Sequence, residues 1–128
     1  MKAEYLVCII THGDLASSLT GAVKQLGALS FPVNSFSNKE KSMEDIEDEI
    51  ITLIRAQDPS KIIIFVDFMG GSCWLSANRL KKDFKDISVF SGVNLPMLLS
   101  FFMYYQSLSG SELLQKIVED AKKGIVKR

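Results

Sequence analysis

His12 is the single histidine of the chain, and Asp67 closes its strongest strand signal, Ile62-Ile63-Ile64-Phe65-Val66. An imidazole that donates one N–H to a carboxylate is held in one tautomer and keeps the other nitrogen's lone pair for attack. The same carboxylate stabilises the cation that attack creates, so the pair is an activated nucleophile if the fold unites it. Gly70-Gly71-Ser72 follows Asp67 closely. It supplies backbone that can approach a phosphoryl group and a hydroxyl that can donate to its oxygens. Plainer readings compete: a lone histidine is more often structural, an aspartate ending a strand is often a cap or turn, and Gly-Gly-Ser is often a flexible turn.

Position favours the chemical reading. Tyr5-Leu6-Val7-Cys8-Ile9-Ile10 is a continuous apolar run, the pattern of a strand buried on both faces of a parallel sheet, and it stops at Thr11-His12-Gly13-Asp14. A helical stripe follows at Leu15, Leu19, Ala22, Val23 and Leu26, closed by Gly27. His12 and Gly13 therefore stand at a strand-to-helix junction, where unpaired N–H groups and the helix dipole favour an anion such as phosphate. In an open parallel sheet, ligands bind at the carboxyl ends of the strands, near the point where strand order reverses. His12 and Asp67 share that rim if their strands are neighbours.

The remaining elements alternate. Phe31 to Phe36 reads as a second strand, with Pro32 arguing for an edge. After the connector Ser37 to Lys41, Ser42 heads a second helix with Asp45 in its first turn and a stripe at Met43, Ile46, Ile50, Leu53 and Ile54, ending at Pro59. Cys73 to Leu80 forms a third helix and Ile87 to Gly92 a fourth strand. Asn94-Leu95-Pro96 opens a fourth helix, and Ser111 caps a fifth. The tail Gly124-Ile125-Val126-Lys127-Arg128 reads either as a last, antiparallel edge strand or as a frayed end. This alternation predicts an α/β fold: one domain over residues 1–128, a three-layer α/β/α sandwich around a mainly parallel, doubly wound sheet.

Composition excludes several functions. Fifteen Lys and Arg balance fifteen Asp and Glu, leaving no electrostatic footprint for nucleic acid or anionic lipid. Cys8 and Cys73 cannot build a disulfide framework, and without Cys-x-x-Cys or a second histidine no structural zinc site is announced, so no metal is expected. The thiols fit a cytosolic address. Leu95 to Tyr105 is about half of the roughly 20 residues that cross a bilayer, and the N-terminus carries no secretory signal.

Thr11-His12-Gly13, Val66-Asp67-Phe68-Met69-Gly70-Gly71-Ser72 and Gly92-Val93-Asn94-Leu95-Pro96-Met97-Leu98 together resemble, in order and spacing, the IIA component of the mannose-family bacterial phosphotransferase system. The resemblance spans nearly the whole chain. It implies a cytoplasmic phosphocarrier without cofactor: the histidine matching His12 takes a phosphoryl group from the histidine-containing phosphocarrier protein and gives it to a IIB component that phosphorylates incoming sugar. Asp67 matches the orienting carboxylate and Ser72 a serine of the phosphate-binding loop, with Gly13, Gly70 and Gly71 beside them. The family fold also implies a homodimer whose C-terminal strand can pair with the partner's sheet, and membrane association only through the transporter complex. Departures occur where the family usually has Pro, an aromatic and Asn after Gly-Gly-Ser; here Cys73-Trp74-Leu75 stand there. Phe68 and Met69 occupy variable positions and would shape the rim that docks partners. Trp74 reads as part of that rim or as plain core.

Two rival functions share these residues. One is a regulatory binding module whose phosphorylation state reports energy status without sugar flux; IIB, IIC and IID reading frames beside this one would distinguish a transporter. The other is a hydrolase built from His12, Asp67 and Ser72, against which Gly-x-Ser-x-Gly is absent and no oxyanion hole is announced.

Overall fold

A computed structural model describes residues 4–27 and 31–128. The chain runs β1 (Tyr5–Thr11), α1 (Leu15–Gln25), β2 (Asn34–Ser37), α2 (Met43–Gln57), β3 (Lys61–Val66), α3 (Ser72–Arg79), β4 (Ile87–Phe90), α4 (Leu95–Tyr104) and α5 (Gly110–Lys123), with a 3-10 turn over Leu80–Lys82. The four strands form one parallel sheet in the order β2-β1-β3-β4, as the α/β pattern predicts.

Two compact units interleave in sequence. The first comprises residues 1–18 and 32–92 and holds the whole sheet. All seven residues of β1 are buried, as are the last five of β3, which accounts for their unbroken apolar sequences. One face of the sheet, carrying Leu6, Cys8, Ile10, Ile62, Ile64 and Val66, packs on Ile46, Ile50 and Ile54 of α2 and on Cys73 and Ala77 of α3. Ser42 caps α2 as the sequence predicts, its hydroxyl accepting the Asp45 N–H at 3.0 Å. Asp58 ends that helix in the left-handed region at φ 45°. Trp74 is half-buried against the same apolar cluster, on the core side of its two readings. Of the α1 stripe, Val23 is buried, whereas Leu15 and Leu26 lie exposed.

The second unit comprises residues 19–31 and 93–128. Asn94 caps α4 through its side chain, accepting the Met97 N–H at 2.9 Å, and Pro96 sits in the first turn, where its missing N–H costs nothing. Asn94 also donates to the Ala121 carbonyl, and Ser100 to Asp120, tying α4 to α5. Phe31 stands edge-on to Phe101 and Tyr105.

Three sequence expectations need correction. The strand over Phe31 to Phe36 begins only at Asn34, because Pro32 offers no N–H to a ladder. The cap of α5 is Ser109 in place of Ser111, since Gly110 already starts the helix. No described residue after β4 belongs to a strand: residues 125–128 are irregular, with Ile125 and Val126 exposed, so the antiparallel edge strand is absent from this chain taken alone.

Candidate active site at the carboxyl ends of β1 and β3

Strand order reverses between β1 and β3: from β1 the chain goes to β2 on one side and then to β3 on the other. The crevice beyond their carboxyl ends is where ligands bind in such a sheet. Register sets the spacing there, because Ile10 lies opposite Val66, which brings the next residues of both strands, Thr11-His12 and Asp67, to the same rim.

Asp67 and His12 are joined twice. Asp67 Oδ2 accepts the backbone N–H of His12 at 2.9 Å and meets His12 Nδ1 at 2.7 Å. A carboxylate only accepts, so Nδ1 carries the proton and Nε2 keeps its lone pair. Asp67 Oδ1 accepts the Phe68 N–H at 3.0 Å, while the Asp67 carbonyl accepts the Gly92 N–H from the end of β4. Burial pushes the Asp67 carboxyl up, but the His12 backbone N–H, the imidazole and the Phe68 N–H outweigh it and hold the group below its ordinary value. The ring itself is open, with 41% of the His12 side chain exposed against 13% for Asp67.

Nε2 faces the hydroxyl of Ser72 at 3.3 Å. Ser72 opens α3, and Gly71 at its N-cap position provides no side-chain cap, which leaves first-turn N–H groups directed at the same space. Gly70 reaches this turn through φ +88° and Gly13 leaves β1 through φ +58°, both in the left-handed region that glycine enters at no steric cost. Gly71 serves differently: a Cβ there would come within 2.6 Å of the Phe68 ring. With that space open, Phe68 stacks on the imidazole, centroids 5.3 Å apart at 26°. Phe68 and Met69 remain 54% and 71% exposed, an apolar rim beside the nucleophile.

All the residues singled out from sequence gather here. Two supports escaped sequence reasoning. Thr11 is fully buried and its hydroxyl accepts the Ala16 N–H at 2.7 Å, fixing the start of α1 behind His12. Ser37, at the end of β2, donates to the Gly13 carbonyl and pins the turn from outside. Cys73 places Sγ 3.8 Å from His12 Nδ1. Burial, then the Asp67 charge, push its thiol up to about 11 against the opposing Ser72 hydroxyl, so it is protonated near neutrality. His12, Asp67 and Cys73 also form a nitrogen, oxygen and sulfur group with ligand atoms all within 4.8 Å of one another. No helix among the described residues is long and apolar enough to cross a membrane.

The arrangement suits nucleophilic attack by Nε2 on an anion held against the N-terminus of α3. Comparison with known proteins identifies the family. The chain is 29% identical over 107 residues to the sorbose-specific EIIA component of the phosphotransferase system (PTS) from Klebsiella pneumoniae, covering 83% of this chain and 78% of that one. It is 30% identical over 128 residues to the PTS mannose-specific EIIAB component of Escherichia coli strain K12, covering 93% of this chain but only 38% of that longer protein. The PTS component EIIA of Streptococcus agalactiae shares the fold, with a TM-score of 0.83 at 22% identity over 96% of each chain. So does the sigma-54 interaction domain protein of Enterococcus faecalis, with a TM-score of 0.76 at 17% identity over 97% of this chain and 95% of that one. Residues 6–118 match the sequence model of EIIA-man, described as the PTS system fructose IIA component, and the chain accordingly belongs to that family of IIA components, the phosphocarriers of the sugar phosphotransferase system.

Proposed function

We propose that Nε2 of His12 accepts a phosphoryl group from the histidine-containing phosphocarrier protein and delivers it to a IIB component. The observation that carries this reading is the 2.7 Å contact between Nδ1 and Asp67, which commits the other ring nitrogen, exposed beside Ser72, to attack. In the forward step the Nε2 lone pair forms a bond to phosphorus as the bond to the donor's imidazole breaks in line, and that imidazole leaves with its electron pair. The positive charge appearing on the His12 ring lies against the Asp67 carboxylate. The phosphoryl oxygens meet the Ser72 hydroxyl and the first-turn N–H groups of α3. Delivery to the IIB acceptor reverses these steps. The work is positioning and electrostatics, with no metal or cofactor in the transfer.

Phe68 and Met69 form the docking rim, a size and polarity suited to a transient interface. The name EIIAB of the Escherichia coli relative joins an A and a B part, which supports a IIB acceptor. We place the protein in the cytoplasm, as one domain, and as a homodimer in which the partner's sheet covers the exposed Ile125 and Val126. Incubation with phosphoenolpyruvate and the general phosphotransferase proteins should give an acid-labile, base-stable adduct on His12, abolished in His12→Ala. Label on Ser72 would transfer the case to a hydrolase.

A further inference from the structure

We propose that His12 Nδ1, Asp67 Oδ2 and Cys73 Sγ form a zinc site, and that zinc bound there shuts off the acceptor nitrogen. The consequence for phosphoryl transfer rests on the function proposed above; the binding does not.

The linear sequence conceals this donor set, because Asp67 and Cys73 lie 55 and 61 positions from His12 and meet it only across the β1–β3 crevice. Its chemistry is selective. One imidazole, one carboxylate and one thiol suit a borderline-soft divalent ion and not magnesium or calcium, which take oxygen ligands. The distances are close to what zinc requires. Bonds of about 2.0–2.1 Å to nitrogen, 2.0–2.2 Å to oxygen and 2.3 Å to sulfur at tetrahedral angles separate nitrogen from sulfur by about 3.6 Å and nitrogen from oxygen by about 3.3 Å. The site has 3.8 Å and 2.7 Å. All three donor atoms lie within 4.8 Å of one another, and zinc would enter by widening the hydrogen bond between Nδ1 and Asp67 by ~0.6 Å. The His12 side chain, 41% exposed, is the most open of the three ligands, against 13% for Asp67 and a fully buried Cys73.

The shut-off follows from proton accounting. Zinc takes the Nδ1 lone pair, so the ring proton moves to Nε2; the Cys73 thiol releases its proton to solvent as the Zn–S bond forms. Nothing is oxidised or reduced. A ring with its proton on Nε2 has no lone pair for phosphorus, and Asp67, now a zinc ligand, no longer offsets charge on the imidazole. A phosphocarrier in this state is closed without any change of fold.

Titration of the unphosphorylated full chain with zinc against a chromophoric chelator should give one site. Cobalt in its place should show thiolate-to-metal charge-transfer absorption, a readout that needs no variant. Cys73→Ala should weaken zinc on the order of 100-fold and abolish that absorption, and Cys8→Ala should change neither. Zinc should then block phosphoryl acceptance by the wild type and spare Cys73→Ala. Equal zinc affinity in wild type and Cys73→Ala, cobalt bound without a thiolate band, or a zinc-loaded wild type that takes label at the zinc-free rate would each overturn the proposal. Absence of label from the zinc-free wild type would instead strike the phosphocarrier reading and leave the binding arm to decide the zinc site.

Discussion

Asp67→Asn isolates the carboxylate's contribution, because the amide keeps the shape and removes the charge. Three donors surround the group: the His12 N–H and Nδ1–H on Oδ2, and the Phe68 N–H on Oδ1. An asparagine has one oxygen and one NH2. With the oxygen at the Oδ2 position both His12 bonds survive and the NH2 faces the Phe68 N–H, which lies where water can satisfy it. With the amide turned, two donors confront each other at His12 and the NH2 would favour a proton on Nε2. The first orientation wins, so the variant folds with the correct tautomer and loses only the charge. A hydrogen bond to a charged group contributes about 1.5–3 kcal/mol and a neutral one about 0.5–1.5, a loss of about 1–2 kcal/mol for the ring contact as positive charge develops. At about 1.4 kcal/mol per factor of ten, phosphoryl acceptance should slow by roughly 5- to 30-fold. Single-turnover rapid quench with phosphorylated donor at saturation measures that step alone. A folded Asp67→Asn protein reacting within about twofold of wild type would refute the reasoning.

The remaining predictions concern the site's supports. Gly71→Ala should push the Phe68 ring off the imidazole, seen as a change in ring-current shifts of the His12 protons by NMR; unchanged shifts would contradict the 2.6 Å clash. Asp67, held below its ordinary value, stabilises the fold fully above the unfolded carboxyl value of about 3.9 and loses that contribution as pH falls through its lower folded value. The gap in Tm between wild type and Asp67→Asn should therefore shrink from pH 5 to pH 2, and a widening gap would reverse the sign. Ile50→Ala, at a fully buried position of α2, should cost about 2–5 kcal/mol in urea unfolding. Cys73, fully buried and pushed up to about 11, should be alkylated by iodoacetamide at pH 7 far more slowly than in the unfolded chain, as mass spectrometry would record.

How much was legible in sequence depended on whether the signal was local. Tyr5 to Ile10 and Ile62 to Val66 read as buried strands because no surface could tolerate such runs, and Ser42 and Asn94 announced their helices through side chains that bond within one turn. The late start of β2 and the displaced cap of α5 were harder, since Pro32 limits a ladder without dating its beginning, and Ser109-Gly110-Ser111 offers two serines to one cap position. His12, Asp67 and Ser72 could be chosen as residues but not joined, because their meeting depends on β1 pairing with β3. Thr11 and Ser37 act through side-chain hydrogen bonds to the backbone at Ala16 and Gly13 and carry no sequence pattern. Cys73 was visible as a departure from the family sequence, yet its distance from Nδ1 exists only in three dimensions. The tail residues Ile125 and Val126 have a strand-like pattern, yet the described residues after β4 form no strand.

Everything in the mechanism follows from which ring nitrogen is free. Phosphorylated protein carrying nitrogen-15 in His12, observed by nitrogen and phosphorus NMR, should show phosphorus coupled to Nε2 while Nδ1 stays protonated against Asp67. Phosphorus on Nδ1, or on the Ser72 oxygen, would contradict the account.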